Sequence, residues 1–123
     1  MKDDSVYLGH IRDAISDIQT YASVDRATFI GDRMRQDAVI RKLEIIGEAV
    51  KKLSDGTRSR APEIPWKQIA GMRDRLTHDY FGVDLVLVWT TVERELPRLK
   101  AAVDTESYRE LRRPFSLNQA TAA

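Results

Sequence analysis

The stretch Arg33-Met-Arg-Gln-Asp-Ala-Val39-Ile-Arg-Lys-Leu43-Glu-Ile-Ile46-Gly47-Glu-Ala-Val50-Lys-Lys-Leu53 decides the fold. Its residues Val39, Leu43, Ile46, Val50 and Leu53 recur at steps of 4-3-4-3. At about 3.6 residues per turn, such steps place aliphatic side chains on one stripe and leave the charged residues to the other faces. The spacing predicts a helix over 33–53 that packs as one member of a bundle. Gly47 falls inside it, where glycine costs about 1 kcal/mol relative to alanine. Its presence there predicts a neighbouring helix that comes unusually close.

Working outward, Asp3, Asp4 or Ser5 can cap a first helix that turns Val6, Ile11, Ile15 (or Ala14), Ile18 and Ala22 inward. Residues 23–32 read as a connector, with Asp25 as a cap, Gly31 as a break, and Phe29 and Ile30 tucked against the core. Ser54-Asp55-Gly56 ends the second helix, and 55–65 reads as a loop holding Pro62 and Pro65. Pro65 suits the first turn of a third helix. That helix carries Trp66, Ile69, Met72 and Leu76 inward and fades near Phe81-Gly82, where Gly82 suits a left-handed cap. Asp84 caps a last helix with Leu85, Val88, Trp89, Val92, Leu96, Leu99 and Val103 on one face, and Pro97 should kink it. No stretch alternates as a strand would. The expectation is all-α: an up-and-down bundle of four main helices plus a short helix, occupying residues 1–108, with a flexible tail over 109–123. Apolar surface left over on so small a chain is compatible with a dimer or with a monomer.

Composition narrows the function classes. The chain has 123 residues, 42% of them hydrophobic, and no Cys. Disulfide scaffolds and Cys-ligated metal sites are therefore excluded. With two His, an all-His metal site is not expected, and the Glu44/Glu48 pair lacks the facing Glu-x-x-His that a bundle metal site uses. No apolar run reaches the roughly 20 residues of a membrane span, and the start, Met1-Lys2-Asp3-Asp4-Ser5, lacks the apolar core of a secretory signal. A cytoplasmic setting follows as the expectation. The formal net charge is +1, but the basic residues bunch at Lys51, Lys52, Arg58, Arg60, Lys67, Arg73 and Arg75. That block attracts phosphate or is simply a solvated surface.

Chemistry concentrates in Met72-Arg73-Asp74-Arg75-Leu76-Thr77-His78-Asp79-Tyr80-Phe81-Gly82-Val83-Asp84. The imidazole of His78 titrates near neutrality and suits proton transfer. The guanidinium of Arg73 is always charged and presents a fork matched to phosphate oxygens. Asp74 is placed to orient either group, and Tyr80 offers a hydroxyl nearby. Arg75 and Lys67 are weaker candidates for RNA contact, and Arg75 is equally suited to an ion pair with Asp79 at i+4. Five residues of straight helix turn about 500°, so Arg73 and His78 would point about 140° apart. They converge if the helix distorts near Thr77 or a second copy of the chain completes the site. His10 reads as a surface residue, and Trp66 and Trp89 as core.

Arg73-x4-His78-x-Tyr80 resembles the RX4HXY motif of HepT-like toxins, members of the HEPN superfamily. Residues 36–49 resemble that family's second-helix signature, Pro62-Glu63-Ile64-Pro65-Trp66 its lead-in to the motif, and 85–99 its last helix. The likeness spans about residues 5–103. It implies a homodimeric HEPN-like helical toxin of a type VII toxin–antitoxin pair, a metal-independent ribonuclease without a cofactor. Its substrate would be RNA (tRNA among the candidate classes), cut in a cleft where the motifs of two protomers meet. It further implies a partner, an MntA-type minimal nucleotidyltransferase antitoxin, that silences the toxin by adenylylating Tyr80. Catalysis would fall to Arg73 and His78, with Asp74 in support. The chain departs from the family pattern in having Asp74 after the motif Arg and Asp79 after the His. The competing reading is a non-catalytic helical module that binds a nucleotidyltransferase or a nucleotide.

Overall fold

The computed structural model describes residues 3–76 and 84–112, the side chain of Arg73 excepted. Among these residues every regular element is helical, as the periodicity predicts. The helix α1 spans Asp4–Tyr21, with Asp3 as its cap, accepting from the Ser5 N–H at 3.0 Å. The buried stripe of α1 is Leu8, Ile11, Ala14, Ile15 and Ile18. Val6, expected inward, is 47% exposed. Residues two apart on a helix point about 200° apart, so Val6 and Leu8 cannot both face the core.

A short helix, α2 (Arg26–Ile30), follows under the Asp25 cap and stops at Gly31. Phe29 is fully buried, but Ile30 is 38% exposed, against the expectation that both tuck inward. The long helix α3 (Arg33–Lys52) is fixed to α2 by Gln36, whose Nε2 donates to the carbonyls of Phe29 and Ile30 at 2.9 and 2.8 Å. The Phe29 carbonyl also accepts from the Asp32 N–H at 3.2 Å, so the amide adds a second bond there and caps the Ile30 carbonyl at the end of α2. Val39, Leu43, Ile46, Val50 and Leu53 are all fully buried, as their spacing predicts. The Glu44 and Glu48 carboxylates lie 3.7 Å from Arg41 and 3.2 Å from Lys51.

The expected loop over 55–65 contains a further helix, α4 (Asp55–Ser59), capped by Ser54. The expected continuous third helix is two short ones, α5 (Trp66–Ala70) and α6 (Met72–Leu76), parted at Gly71. Gly71 adopts φ −90°, ψ 21°, outside helical geometry. Trp66 packs against the core, and its indole N–H reaches the Ala61 carbonyl at 2.8 Å.

The last long helix is interrupted too. Asp84 caps α7 (Leu85–Thr90), a π-helical turn follows over Thr91–Glu95, and α8 runs from Leu96 to Leu111. The expected kink at Pro97 is therefore a π turn placed just before the proline. Buried positions along this stretch are Val88, Thr91, Leu96, Leu99, Val103 and Glu106. Their steps are 3-5-3-4-3, and the step of five fits a turn with i→i+5 bonding. The Leu96 N–H bonds the Thr91 carbonyl across that step. Trp89 lies 5.2 Å from Phe29, ring to ring, inside the core margin.

In the assembled bundle α1 packs along α3 and α8, while α3 also supports α5 and α6. The expected left-handed cap at Gly82 and the tail beyond residue 112 lie outside the described residues.

Candidate active site

The motif begins on α6, and α3 sets where α6 sits. A Cβ added to Gly47 would lie 2.9 Å from the Ile69 carbonyl and 3.4 Å from the Met72 Cβ. No side chain fits there, so the α5–α6 junction rests directly on the α3 backbone. Met72 and Leu76, four residues apart, are both buried and fix the inner face of α6.

The polar residues take the remaining faces. Asp74 is exposed on α6, and Lys67 is exposed on α5. Arg75 is half-buried, and its guanidinium grips Glu95 in a fork, Nη1 to Oε2 at 3.0 Å and Nη2 to Oε1 at 2.9 Å. The hydrogen bonds to Glu95 outweigh the burial of the guanidinium and raise the Arg75 pKa. The backbone of Arg73 lies within α6. His78, Asp79 and Tyr80 lie outside the described residues, as does the alternative ion pair of Arg75 with Asp79. The structure therefore brings Arg73, Asp74 and Arg75 together on one helical turn and gives no distance from them to His78 or Tyr80.

The chain is pinned on either side of the motif's second half. The Asp84 N–H donates to the Leu76 carbonyl at 3.2 Å, and the Asp84 carboxylate caps α7 through the Leu87 N–H at 3.0 Å. One backbone bond thus joins the end of α6 to the start of α7.

Much of the basic block is neutralised. Lys51 pairs with Glu48, Arg58 with Asp55, Arg60 with Glu106 and Arg75 with Glu95. The exposed pairs, Lys51–Glu48 and Arg58–Asp55, contribute little to stability, but all four lower the field available to an anion.

Two groups of residues escaped the sequence reading. One is Glu95, brought opposite Arg75 by the π turn. The other is a buried network that ties the start of α1 to α4 and α8. Its centre is Asp4, which accepts from the Ser54 N–H at 3.0 Å, the Ser54 hydroxyl at 2.6 Å and the Thr57 hydroxyl at 2.5 Å. Arg60 bonds Thr57 at 3.1 Å and holds Glu106 through both Nε and Nη2. Glu106 is 5% exposed. A signal was available for each, the irregularity that Pro97 marks and a Ser-x-x-Thr cap at 54–57, but neither names its distant partner. His10 is exposed, edge-on to Tyr7 at 5.9 Å. No helix among the described residues is long and apolar enough to cross a membrane.

Comparison with known proteins places the chain. A profile of the family described as "Ribonuclease HepT-like" matches residues 11–106. "Putative RNase MJ0125" of Methanocaldococcus jannaschii is 44% identical over 100 residues, covering 80% of this chain and 86% of that protein. "Probable ribonuclease HepT" of Thermococcus cleftensis is 45% identical over 95 residues, covering 76% of this chain and 86% of that one. The chain is also 45% identical over 104 residues to "Gamma-glutamylcyclotransferase and putative RNase MJ0434" of M. jannaschii, covering 83% of its own length and 46% of that protein's. No solved structure matches. The matched span takes in α6 and the whole Arg73–Tyr80 motif, and on that footing the chain belongs to the ribonuclease HepT-like family.

Proposed function

We propose that this protein is a homodimeric, metal-independent endoribonuclease and the toxin of a toxin–antitoxin pair, with Arg73 and His78 of two protomers sharing one cleft. The observation that carries the reading is the family match across residues 11–106, which contains Arg73-x4-His78-x-Tyr80. The bundle supports it, because α6 is held by the Gly47 contact, by two buried side chains and by an ion pair.

In this reading a ribose 2′-hydroxyl attacks the adjacent phosphorus. A His78 imidazole takes the 2′ proton as the O2′–P bond forms. The P–O5′ bond breaks, and an imidazolium donates a proton to the leaving 5′ oxygen. The products are a 2′,3′-cyclic phosphate and a 5′-hydroxyl. Arg73 stabilises the charge that builds on the phosphoryl oxygens, a contribution typically of about 2.7–4 kcal/mol for one well-placed donor. Asp74 orients Arg73 or His78, and Lys67 adds a phosphate contact that salt weakens.

Tyr80 is the proposed control point. Its hydroxyl attacks the α-phosphorus of ATP on a small nucleotidyltransferase partner, and pyrophosphate leaves. The adenylate then puts bulk and negative charge where an RNA phosphate would bind.

The test is RNA cleavage by purified wild type, Arg73→Ala and His78→Ala in the presence of a chelator, with the fold of each checked by circular dichroism. The reading expects cleavage by wild type and at least a hundredfold loss in each folded variant. Wild-type rates in both variants would leave a helical module that binds without cutting.

A further inference from the structure

In sequence Arg75 lies between the motif arginine, Arg73, and the motif histidine, His78, yet its fork is occupied. Both Nη atoms bond the two oxygens of Glu95 at 3.0 and 2.9 Å, and the side chains are only 25% and 24% exposed. A bidentate pair of this kind is directional as well as attractive. To meet an RNA phosphate, Arg75 would first have to abandon it.

The position of Glu95 has a structural cause. It is the last residue of the π turn, directly before Leu96 returns to the core. Thr91 anchors the turn from below, its hydroxyl donating to the Leu87 carbonyl at 2.7 Å, and the Leu96 N–H closes it onto Thr91. Single π turns inside α-helices are frequent at functional sites.

The helix on the other side needs such a partner. α6 has five residues, too few to be stable alone. Met72 and Leu76 fix one face of it. Arg75 lies about 60° from Met72 around the axis, so its tie to Glu95 fixes the rotation that the apolar contacts leave soft. Arg73 and Asp74 share that turn.

We propose that Glu95 and Arg75 are a positioning pair for the ribonuclease site, with the π turn presenting Glu95 so that α6 holds Arg73 in its working orientation. This rests on the ribonuclease reading above. The pair touches no substrate and acts through α6.

The experiment compares kcat and KM for an RNA oligonucleotide in wild type, Glu95→Gln, Arg75→Lys and Arg73→Ala, with melting curves for each. Glu95→Gln removes the charge, and Arg75→Lys keeps it but loses the fork. A positioning pair predicts a fall of about tenfold or more in kcat in both, with KM within about twofold, because misplacing a reacting group costs rate more than binding. If Arg75 instead binds RNA, Arg75→Lys keeps kcat. Glu95→Gln then frees the guanidinium and lowers KM. That pattern, or wild-type constants in either folded variant, overturns the proposal. Two variants on opposite partners keep the test sound should one fail to fold. Activity lost in Arg73→Ala but kept in Glu95→Gln and Arg75→Lys refutes the positioning pair alone. Undiminished cleavage by Arg73→Ala refutes the ribonuclease reading and the pair's role with it.

Discussion

Gly47 on α3 lies so close beneath Ile69 that a Cβ at the glycine would stand 2.9 Å from the isoleucine carbonyl. The neighbour is backbone and cannot swing away. Alanine at 47 gains about 1 kcal/mol of helix propensity but forces α5 off α3, and overpacking of this kind typically costs about 1–3 kcal/mol. The Gly47→Ala protein is expected to be destabilised by up to about 2 kcal/mol in a denaturant titration. It should also lose RNA cleavage disproportionately, since α6, which carries the motif arginine, follows the displaced α5 directly after Gly71.

Asp4 supplies a pH prediction. Burial pushes its carboxyl upward, but hydrogen bonds from Ser54 and Thr57, with the nearby Arg60 charge, outweigh that and hold its pKa below the ordinary carboxylate value. A carboxyl depressed in the folded state stabilises fully above its unfolded pKa, about 3.9, and loses that contribution as pH falls through the lower folded value. Melting temperature should therefore fall steeply below about pH 4. The Asp4→Asn protein should melt lower at neutral pH, by about 1–3 kcal/mol of stability, and the gap should narrow as the wild type is acidified. Parallel melting curves from pH 7 to pH 3 check both points.

Glu106 is buried on α8, and its carboxylate accepts three bonds from Arg60. Removing it takes away the carboxylate partner of Arg60, whose side chain is one-third exposed, keeps its bond to Thr57 and can turn toward water. The cost of Glu106→Ala should therefore stay near 1–3 kcal/mol, below the roughly 3–5 kcal/mol of a fully buried broken pair. Chemical denaturation of the variant measures it, and RNA cleavage per folded molecule should be unchanged.

Tyr80 yields a readout in mass. Co-production with a cognate nucleotidyltransferase should add one or more AMP units to the wild-type chain and none at position 80 of Tyr80→Phe. Intact-mass and peptide spectra decide this.

The bundle was legible because its signals are local and periodic. Val39, Leu43, Ile46, Val50 and Leu53 could face only one way, and Asp25 and Asp84 cap helices where a carboxylate precedes an apolar run. Errors arose where tertiary contacts choose between local options. Val6 and Leu8 compete for one inward position, and α3 and α8 decide in favour of Leu8. Gly71 breaks a pattern that Ile69, Met72 and Leu76 still satisfy across the gap. Pro97 announced an irregularity, but not that it would be a π turn delivering Glu95 to Arg75. Of the site, the sequence names the chemistry of Arg73, Asp74, His78 and Tyr80. The Arg75–Glu95 and Asp4–Thr57 partnerships join residues 20 and 53 positions apart, which no spacing rule reaches.

The account stands most directly on the ends of the RNA it leaves behind. Oligoribonucleotide digested by the purified protein should carry 2′,3′-cyclic phosphate and 5′-hydroxyl termini, and the Arg73→Ala/His78→Ala double variant should produce none. Intact RNA after incubation with folded wild type, or the same fragments from the double variant, would contradict it.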